Sequence, residues 1–241
     1  MDGGYVRLDG FLAPPEIAGV RRAVDAVLAR PEVAGCERDH NRLAPLRWDD
    51  AVVTMVLAEP GRRAAIAAAT GAQDLRWISG YVSTKDTGTD ALAWHRDWWC
   101  WDHPVSLRRA PAQVAVLVYL SATNERAGAL RVIPGSHRTS TATGEVTLAA
   151  QPGDAVALDY RLLHGTHPNE GARRDALLLT FTPAWSRLPA DVRAHLIQHL
   201  ALPRPDERVP RAGWEHELLP RFDGPCADLA LSREAPAQFA I

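Results

Sequence analysis

Short period-two segments separated by turn residues fill the chain between Gly71 and Pro183. The first segment places Leu75, Trp77 and Tyr81 on one face, as an extended strand would. The further strand candidates, which are bounded by Gly, Pro or Asn, are 113–120, 129–133, 145–148, 154–158, 162–166 and 175–182. Many short strands without helices between them indicate an antiparallel sandwich or barrel. The sequence therefore predicts a mainly β protein, such as a jelly roll.

The N-terminal part of the chain has helical patterns after a short alternating segment at 5–8 that predicts a strand. Apolar residues recur at helical spacing over 14–28. A second helical region covers 51–70 and is interrupted at Pro60. Residues 35–48 between them are polar, rich in arginine and aperiodic, which predicts a surface loop.

A helix over about 190–201 and a tail follow the β segments. The tail contains apolar residues such as Trp214, so we expect it to pack against the rest of the protein. No repeat or second domain is evident. We therefore predict one domain over 1–241, with its parts at about 14–70 (N-terminal helices), about 73–183 (β core) and 184–241 (C-terminal helix and tail).

The charge balance is nearly even, because 27 Lys and Arg residues stand against 29 Asp and Glu residues, for a formal net charge of −2. Such a chain lacks the broad basic surface that binding to nucleic acid requires, and the same argument disfavours attachment to a membrane surface. The longest apolar stretches are far shorter than the roughly 20 residues that span a bilayer. We therefore expect neither a nucleic-acid nor a membrane partner.

The cysteines Cys36, Cys100 and Cys226 are widely separated and form no CxxC pair, which indicates reduced thiols. The sequence shows no charged and then apolar leader at its start. We therefore expect a cytoplasmic protein. Lys85 is the only lysine among many arginines, which we attribute to a GC-rich coding bias rather than to chemistry.

His95 and Asp97 lie within a tryptophan-rich segment, 94–101, that holds four of the eight tryptophans. If the segment is extended, both side chains are on one face, roughly 6.6 Å apart along the strand, and can converge on one cation. A His-X-Asp pair alone is also common as a surface polar pair. The aromatic residues fit either the wall of a pocket or ordinary core packing.

His164 is the best candidate for a third metal ligand, because it ends an apolar run and is followed by a glycine. Two histidines and one carboxylate make the facial triad of non-haem Fe(II) oxygenases. Arg173 and Arg174 then enter the next apolar strand. An arginine in such a barrel is costly unless it meets an anion, and its planar fork matches a carboxylate.

Three segments in this order and spacing resemble the phytanoyl-CoA dioxygenase family, with the match covering about residues 5–183. They are His95-Arg-Asp97, then Gly128-Ala-Leu-Arg-Val-Ile-Pro-Gly-Ser-His137, and then His164-Gly-Thr-His-Pro-Asn169 followed by the two arginines. The resemblance implies an Fe(II)- and 2-oxoglutarate-dependent oxygenase, with dioxygen as cosubstrate, on a double-stranded β-helix. This fold is the cupin-like form of the jelly roll.

The resemblance implies roles for particular residues. It gives His95, Asp97 and His164 as iron ligands, and an arginine about ten residues past the second histidine as the partner of the far carboxylate of 2-oxoglutarate. That spacing favours Arg174 over Arg173, and Arg174 also shares its strand face with smaller residues. The other expected cosubstrate contacts are Thr166 and, as weaker candidates, Gln113 and Tyr81.

The intact Asp97 bears on the reaction. Halogenases of the family replace this carboxylate with a small residue, so hydroxylation of an unactivated C–H bond is favoured, with release of succinate and CO2. A small-molecule substrate of specialised metabolism, such as antibiotic biosynthesis, is compatible with the composition. The alternative is a cupin-like isomerase or hydrolase that uses the same triad with a redox-inactive metal. The sequence does not indicate the oligomeric state.

Overall fold

Two antiparallel sheets form the centre of the protein, whose computed structural model describes residues 1–33, 35–38, 40–237 and 239. The strands of the described residues, in chain order, are β1 (Tyr5–Leu8), β2 (Glu37–Arg38), β3 (Asn41–Leu46), β4 (Arg76–Lys85), β5 (Leu92–His95), β6 (Val114–Tyr119), β7 (Leu130–Val132), β8 (Val146–Leu148), β9 (Ala155–Asp159), β10 (His164–Thr166) and β11 (Arg174–Thr182). The larger sheet has the order β1-β9-β6-β11-β4-β3-β2, and the smaller one has the order β5-β10-β7-β8. This confirms the predicted β-sandwich.

Helices flank the sheets. Those of the described residues are α1 (Pro14–Leu28), α2 (Ala51–Leu57), α3 (Pro60–Thr70), α4 (Ala190–Leu196) and α5 (Trp214–Leu218). Proline begins α1 and α3, where its missing N–H costs no hydrogen bond. Gly71 ends α3 in the left-handed conformation, with a φ of 67°. Within the described residues, no helix is both long and apolar enough to cross a membrane.

Alternation along β11 separates two hydrophobic clusters. Leu177 and Leu179 pack with the apolar faces of α1 and α2, whereas Ala176 and Leu178 pack with residues of the smaller sheet. Arg174 has the same parity as Ala176, so its side chain points into the space between the sheets. The functional site is in this space.

The prediction of a surface loop over 35–48 is wrong, because β2 and β3 lie there and extend the larger sheet. Ala44 and Leu46 are fully buried and contribute to the core beneath α1. Pro45 is tolerated because β3 pairs with β4 along its length but with β2 only through Asn41 and Arg42. The missing N–H of Pro45 therefore falls at a sheet edge.

The C-terminal part differs from the prediction in length but not in packing. The helix expected over about 190–201 ends at Leu196. Trp214, Leu218 and Leu219 are buried in the same cluster as α1 and α2, as expected for a tail that packs. The tail is therefore continuous with the main core.

Candidate active site

Strand pairing in the smaller sheet brings His95 and His164 together. They are directly opposite each other in the β5–β10 pair, and their ring centroids are 4.2 Å apart. Gly165 makes the close approach of these strands feasible, because a Cβ there would lie 2.6 Å from the carbonyl oxygen of Leu92. Asp97 follows two residues after the end of β5. The side chains of His95, Asp97 and His164 therefore come together at the end of these strands.

The candidate metal ligands have the arrangement that a cation needs. One ligand atom from each of His95, Asp97 and His164 lies within 4.8 Å of the others. One carboxylate oxygen of Asp97 is 3.5 Å from His95 Nε2, and the other is 3.6 Å from His164 Nε2. The Nδ1 atoms of the two histidines instead contact the backbone carbonyls of Ala93 and Leu162, at 2.9 and 3.0 Å. These contacts hold the rings so that both Nε2 atoms face the carboxylate, which suits metal binding.

Burial and charge oppose each other in this cluster. Burial lowers the pKa of His95, but the hydrogen bond and charge of Asp97 outweigh it and raise that pKa. Burial raises the pKa of Asp97, and the charges of His164 and His95 outweigh it and hold the pKa below the usual range. For His164 burial dominates and lowers the pKa. A carboxylate and a neutral imidazole are the forms that ligate metals.

The cluster opens into a cavity of about 560 Å³. Besides the three candidate ligands, its walls include Thr166 and Arg174, together with leucines of both sheets such as Leu117 and Leu130. The cavity therefore combines an apolar wall, a metal-binding cluster and a buried cation. This combination is typical of a small-molecule site.

Arg174 and Arg173 have opposite environments. Arg174 is buried, and its Nη atoms donate to the Gly128 carbonyl at 3.1 Å and to Ser83 Oγ at 3.3 Å, while its Nε has no hydrogen-bond partner within the described structure. Arg173 is partly exposed and forms ion pairs with Asp25 and Asp175. Of these two arginines, Arg174 is thus the one in position to meet an anion inside the cavity.

Lys85 is a residue that sequence reasoning missed. It is directly opposite Arg174 in the β4–β11 pair and is almost fully buried. Its Nζ donates to the backbone carbonyls of His40 and Asp90. Burial, together with the charge of Arg174, lowers its pKa to about 8. Its status as the sole lysine in an arginine-rich chain was the available signal, and we had attributed it to coding bias.

The remaining predicted contacts are placed as follows. Thr166 lines the cavity, and its Oγ1 accepts a hydrogen bond from the Leu92 amide at 3.3 Å. The Gln113 side chain is buried away from the cavity lining and accepts a hydrogen bond from Trp99 Nε1 at 2.6 Å. Tyr81 lines a neighbouring cavity of about 530 Å³ instead. Of these three residues, Thr166 is the one that lines the cavity together with the cluster.

The tryptophans of the segment 94–101 do not line the cavity. Trp98, Trp99 and Trp101 are buried in a cluster that also contains residues of α4. Trp94 lies outside that cluster, with the guanidinium of Arg131 4.5 Å from its ring centroid. Of the two readings of the aromatic residues, ordinary packing is the one that applies to these three. Their packing anchors the segment that carries His95 and Asp97 to the rest of the protein.

Comparison with known proteins gives a family match and several related structures. A family model described as phytanoyl-CoA dioxygenase (PhyH) matches residues 2–176. None of the curated proteins matches the chain. The structural matches report a shared fold, because their identities to this chain are low.

Three solved structures illustrate this fold. EctD from S. alaskensis, with 2-oxoglutarate and 5-hydroxyectoine, matches with a TM-score of 0.62 and 22% identity, covering 77% of this chain and 73% of its own. HygX from Streptomyces hygroscopicus, with nickel, 2-oxoglutarate and hygromycin B, gives 0.59 and 19%, covering 76% and 84%. The epimerase SnoN, with Fe3+, alpha ketoglutarate and nogalamycin RO, gives 0.58 and 20%, covering 76% and 80%.

Proposed function

Because this chain belongs to the phytanoyl-CoA dioxygenase family of Fe(II)- and 2-oxoglutarate-dependent oxygenases, we propose that it hydroxylates an unactivated C–H bond of a small molecule. One observation carries the proposal. The converging cluster of His95, Asp97 and His164 shares a cavity with Arg174, a buried cation without an ion-pair partner among the described residues. A metal and a carboxylate-bearing cosubstrate together account for both features.

The donor set fits Fe(II). His95 and His164 provide nitrogen ligands through Nε2, and Asp97 provides an oxygen ligand, which is the composition of the facial triad and leaves coordination positions open. With 2-oxoglutarate and dioxygen, bound iron supplies an oxidant capable of attacking an unactivated C–H bond, and succinate and CO2 are the co-products. The protein's share is to hold the ligands and orient the substrate.

Arg174 is the residue that we assign to the remote carboxylate of 2-oxoglutarate. Its buried Nε lacks a partner, which is a costly state that an incoming carboxylate would relieve. Lys85, opposite it in register, adds positive charge at the same end of the cavity. Thr166 has a hydroxyl on the cavity wall between this end and the cluster, and we assign it a hydrogen bond to the cosubstrate.

The apolar wall of the cavity orients substrate and excludes water from the reacting position. Leucines such as Leu117, Leu130 and Leu178 supply this wall. Asp97 occupies the carboxylate position, which favours hydroxylation over halogenation.

A related fold also supports a different outcome of the oxidation. SnoN, a protein of similar fold, is named as an epimerase of nogalamycin biosynthesis. We propose a specialised metabolite as substrate and oxygen insertion as outcome, so product mass should rise by one oxygen atom; an unchanged product mass would assign epimerisation.

The test of the cofactor chemistry needs no substrate. Fe(II) is added anaerobically to the protein, followed by 2-oxoglutarate, and the weak visible charge-transfer band of an iron-chelated 2-oxo acid is recorded. We expect the band in the wild type and its loss in Asp97→Ala. Asp102→Ala is the matched control, because Asp102 is an exposed carboxylate directly after the segment 94–101, lies outside the cluster, and should keep the band.

Absence of the band in wild-type protein that has bound iron would contradict the oxygenase proposal. The same metal cluster would then belong to a redox-inactive, cupin-like isomerase or hydrolase. A band that persists in Asp97→Ala would contradict the ligand assignment alone.

A further inference from the structure

The residues that line the cavity carry more positive than negative charge. Among the described residues that line it, Asp97 is the one carboxylate, whereas Arg96, Arg174 and Arg233 contribute three guanidinium groups. If Fe(II) and 2-oxoglutarate bind as proposed, Asp97 is engaged by the metal. The charges of the three arginines then need separate explanations.

Two of these arginines already have partners. Arg96 donates to the carbonyls of Ser136, Arg161 and Phe239, so it serves to join backbone segments around the site. Arg174 donates to the Gly128 carbonyl and to Ser83 Oγ, and it is assigned to the cosubstrate. Arg233 has no hydrogen bond or ion pair with any described residue, and its side chain is exposed on the cavity wall.

The segment that carries Arg233 is fixed in place by backbone contacts. The Ser232 amide donates to the Trp99 carbonyl at 2.9 Å, and the Trp101 amide donates to the Ser232 carbonyl at 3.0 Å. These bonds attach the C-terminal tail to the segment that holds two of the candidate metal ligands. Further along, the Phe239 ring packs on Trp101 with centroids 4.9 Å apart. The tail is therefore a wall of the site.

Strand-like alternation directs the Arg233 side chain into the cavity. Ser232 Oγ accepts a hydrogen bond from the Asp102 amide at 2.8 Å, so this side chain faces away from the cavity. The next residue, Arg233, faces the other way. Arg233 lines the same cavity as the three candidate metal ligands, and no hydrogen bond or ion pair joins its guanidinium to them in the described structure.

We propose that Arg233 binds an oxyanion group of the substrate, a carboxylate or a phosphate, and so selects anionic substrates. This inference rests on the proposed function, since it takes the cavity as the place of oxidation. A planar guanidinium with its donors free is well suited to hold two oxygens of such a group. The tail, which lies beyond the matched family region 2–176, thereby contributes a specificity residue.

The test uses two probes that differ mainly in charge, naphthoate and naphthamide. The protein is loaded with Mn(II) and saturating 2-oxoglutarate, and binding near the metal is measured by the paramagnetic relaxation of the probe protons. We expect the wild type to bind naphthoate more tightly than naphthamide. Arg233→Gln should weaken naphthoate binding about tenfold and leave naphthamide binding unchanged. Arg233→Lys should restore part of the loss.

Arg208→Gln is the matched control, because Arg208 is an exposed arginine of the same C-terminal region that lines none of the cavities described above. It makes the same change of charge and should leave both probes unaffected. Equal binding of the two probes to the wild type would overturn the proposal. So would a naphthoate affinity that Arg233→Gln does not change, or a loss that Arg208→Gln reproduces.

The charge-transfer band separates failure of this inference from failure of the proposed function. We expect Arg233→Gln to keep the band of Fe(II) with 2-oxoglutarate. If the wild type has the band but shows no preference for naphthoate, only the role of Arg233 is wrong. If the wild type lacks the band, the oxygenase proposal is wrong. If Arg233→Gln loses the band without losing the preference, Arg233 supports Asp97 instead of binding substrate.

Discussion

Arg174 and Arg173 are neighbours in sequence, but Arg174 is buried at the cavity and Arg173 is partly exposed in ion pairs. Substituting each in turn therefore tests which arginine binds the cosubstrate. Arg174→Leu should raise the concentration of 2-oxoglutarate that half-saturates the charge-transfer band by at least about tenfold, because a charge-assisted pair with the carboxylate is lost. Arg173→Leu removes only ion pairs at a partly exposed position and should change that concentration by less than about twofold. Titration of the band in both variants measures the effect.

The reverse ranking of the two variants would mean that the wrong arginine is assigned. A change of similar size in both would point to a general effect of charge on the site. Arg174→Lys provides a further comparison, because it keeps the charge and loses the planar fork. It should fall between the wild type and Arg174→Leu.

The pairing of β4 with β11 places two buried cations, Lys85 and Arg174, side by side. The free energy of unfolding should therefore depend on pH in the range where Lys85 titrates. The pKa of Lys85 is lowered to about 8 from an ordinary value of 10.5, by burial and then by the charge of Arg174. Between these two values the unfolded chain binds a proton that the folded protein does not. The free energy of unfolding should therefore gain a positive slope with pH between about 8 and 10.

Comparison of the wild type with Lys85→Met isolates this contribution. Other titrating groups contribute equally to both proteins, so the difference between their unfolding free energies should change with pH only through Lys85. Urea unfolding without ligand at several pH values measures it. We expect wild-type stability to rise relative to Lys85→Met across this window. Parallel pH profiles would show that Lys85 does not titrate there.

Most elements could be predicted from local pattern, and β3 is an exception that has a physical cause. The helix α1 has Val20, Val24 and Val27 at helical spacing, and the strands of the β core have period two with turn residues between them. The strand β3 has neither signal, because it contains Pro45 and begins with two polar residues, Asn41 and Arg42. Its identity as a strand depends on pairing with β4, which is distant in sequence.

Some residues of the site are indicated by local sequence motifs, whereas others are brought there by contacts between distant segments. His95 and Asp97 are close in sequence and His164 sits in a family motif, so these residues could be named before the fold was known. Lys85 and Arg233 have no motif around them. Lys85 lies beside Arg174 because β4 pairs with β11, and Arg233 reaches the cavity because the tail binds the tryptophan-rich segment. Contacts of this kind depend on tertiary structure, which one sequence does not reveal.

At the level of the whole molecule, we predict that the chain unfolds as one unit. Trp214 of the tail is buried in the same cluster as α1, α2 and the larger sheet, and its ring packs edge-on against Trp77 at 6.2 Å. Trp214→Ala should lower the free energy of unfolding by about 3–5 kcal/mol. The loss should appear equally in tryptophan fluorescence and in far-UV circular dichroism, because one cooperative transition would report both.

Leu200→Ala is the control for this experiment. Leu200 is an apolar residue of the same C-terminal part, but it is 84% exposed, so its removal should change stability by no more than about 0.5 kcal/mol. If Trp214→Ala produced an early transition seen by only one probe, the tail would be a separate folding unit. Coincident transitions in both variants would instead mean that the part of the tail around Trp214 forms together with the β core, in one cooperative unit.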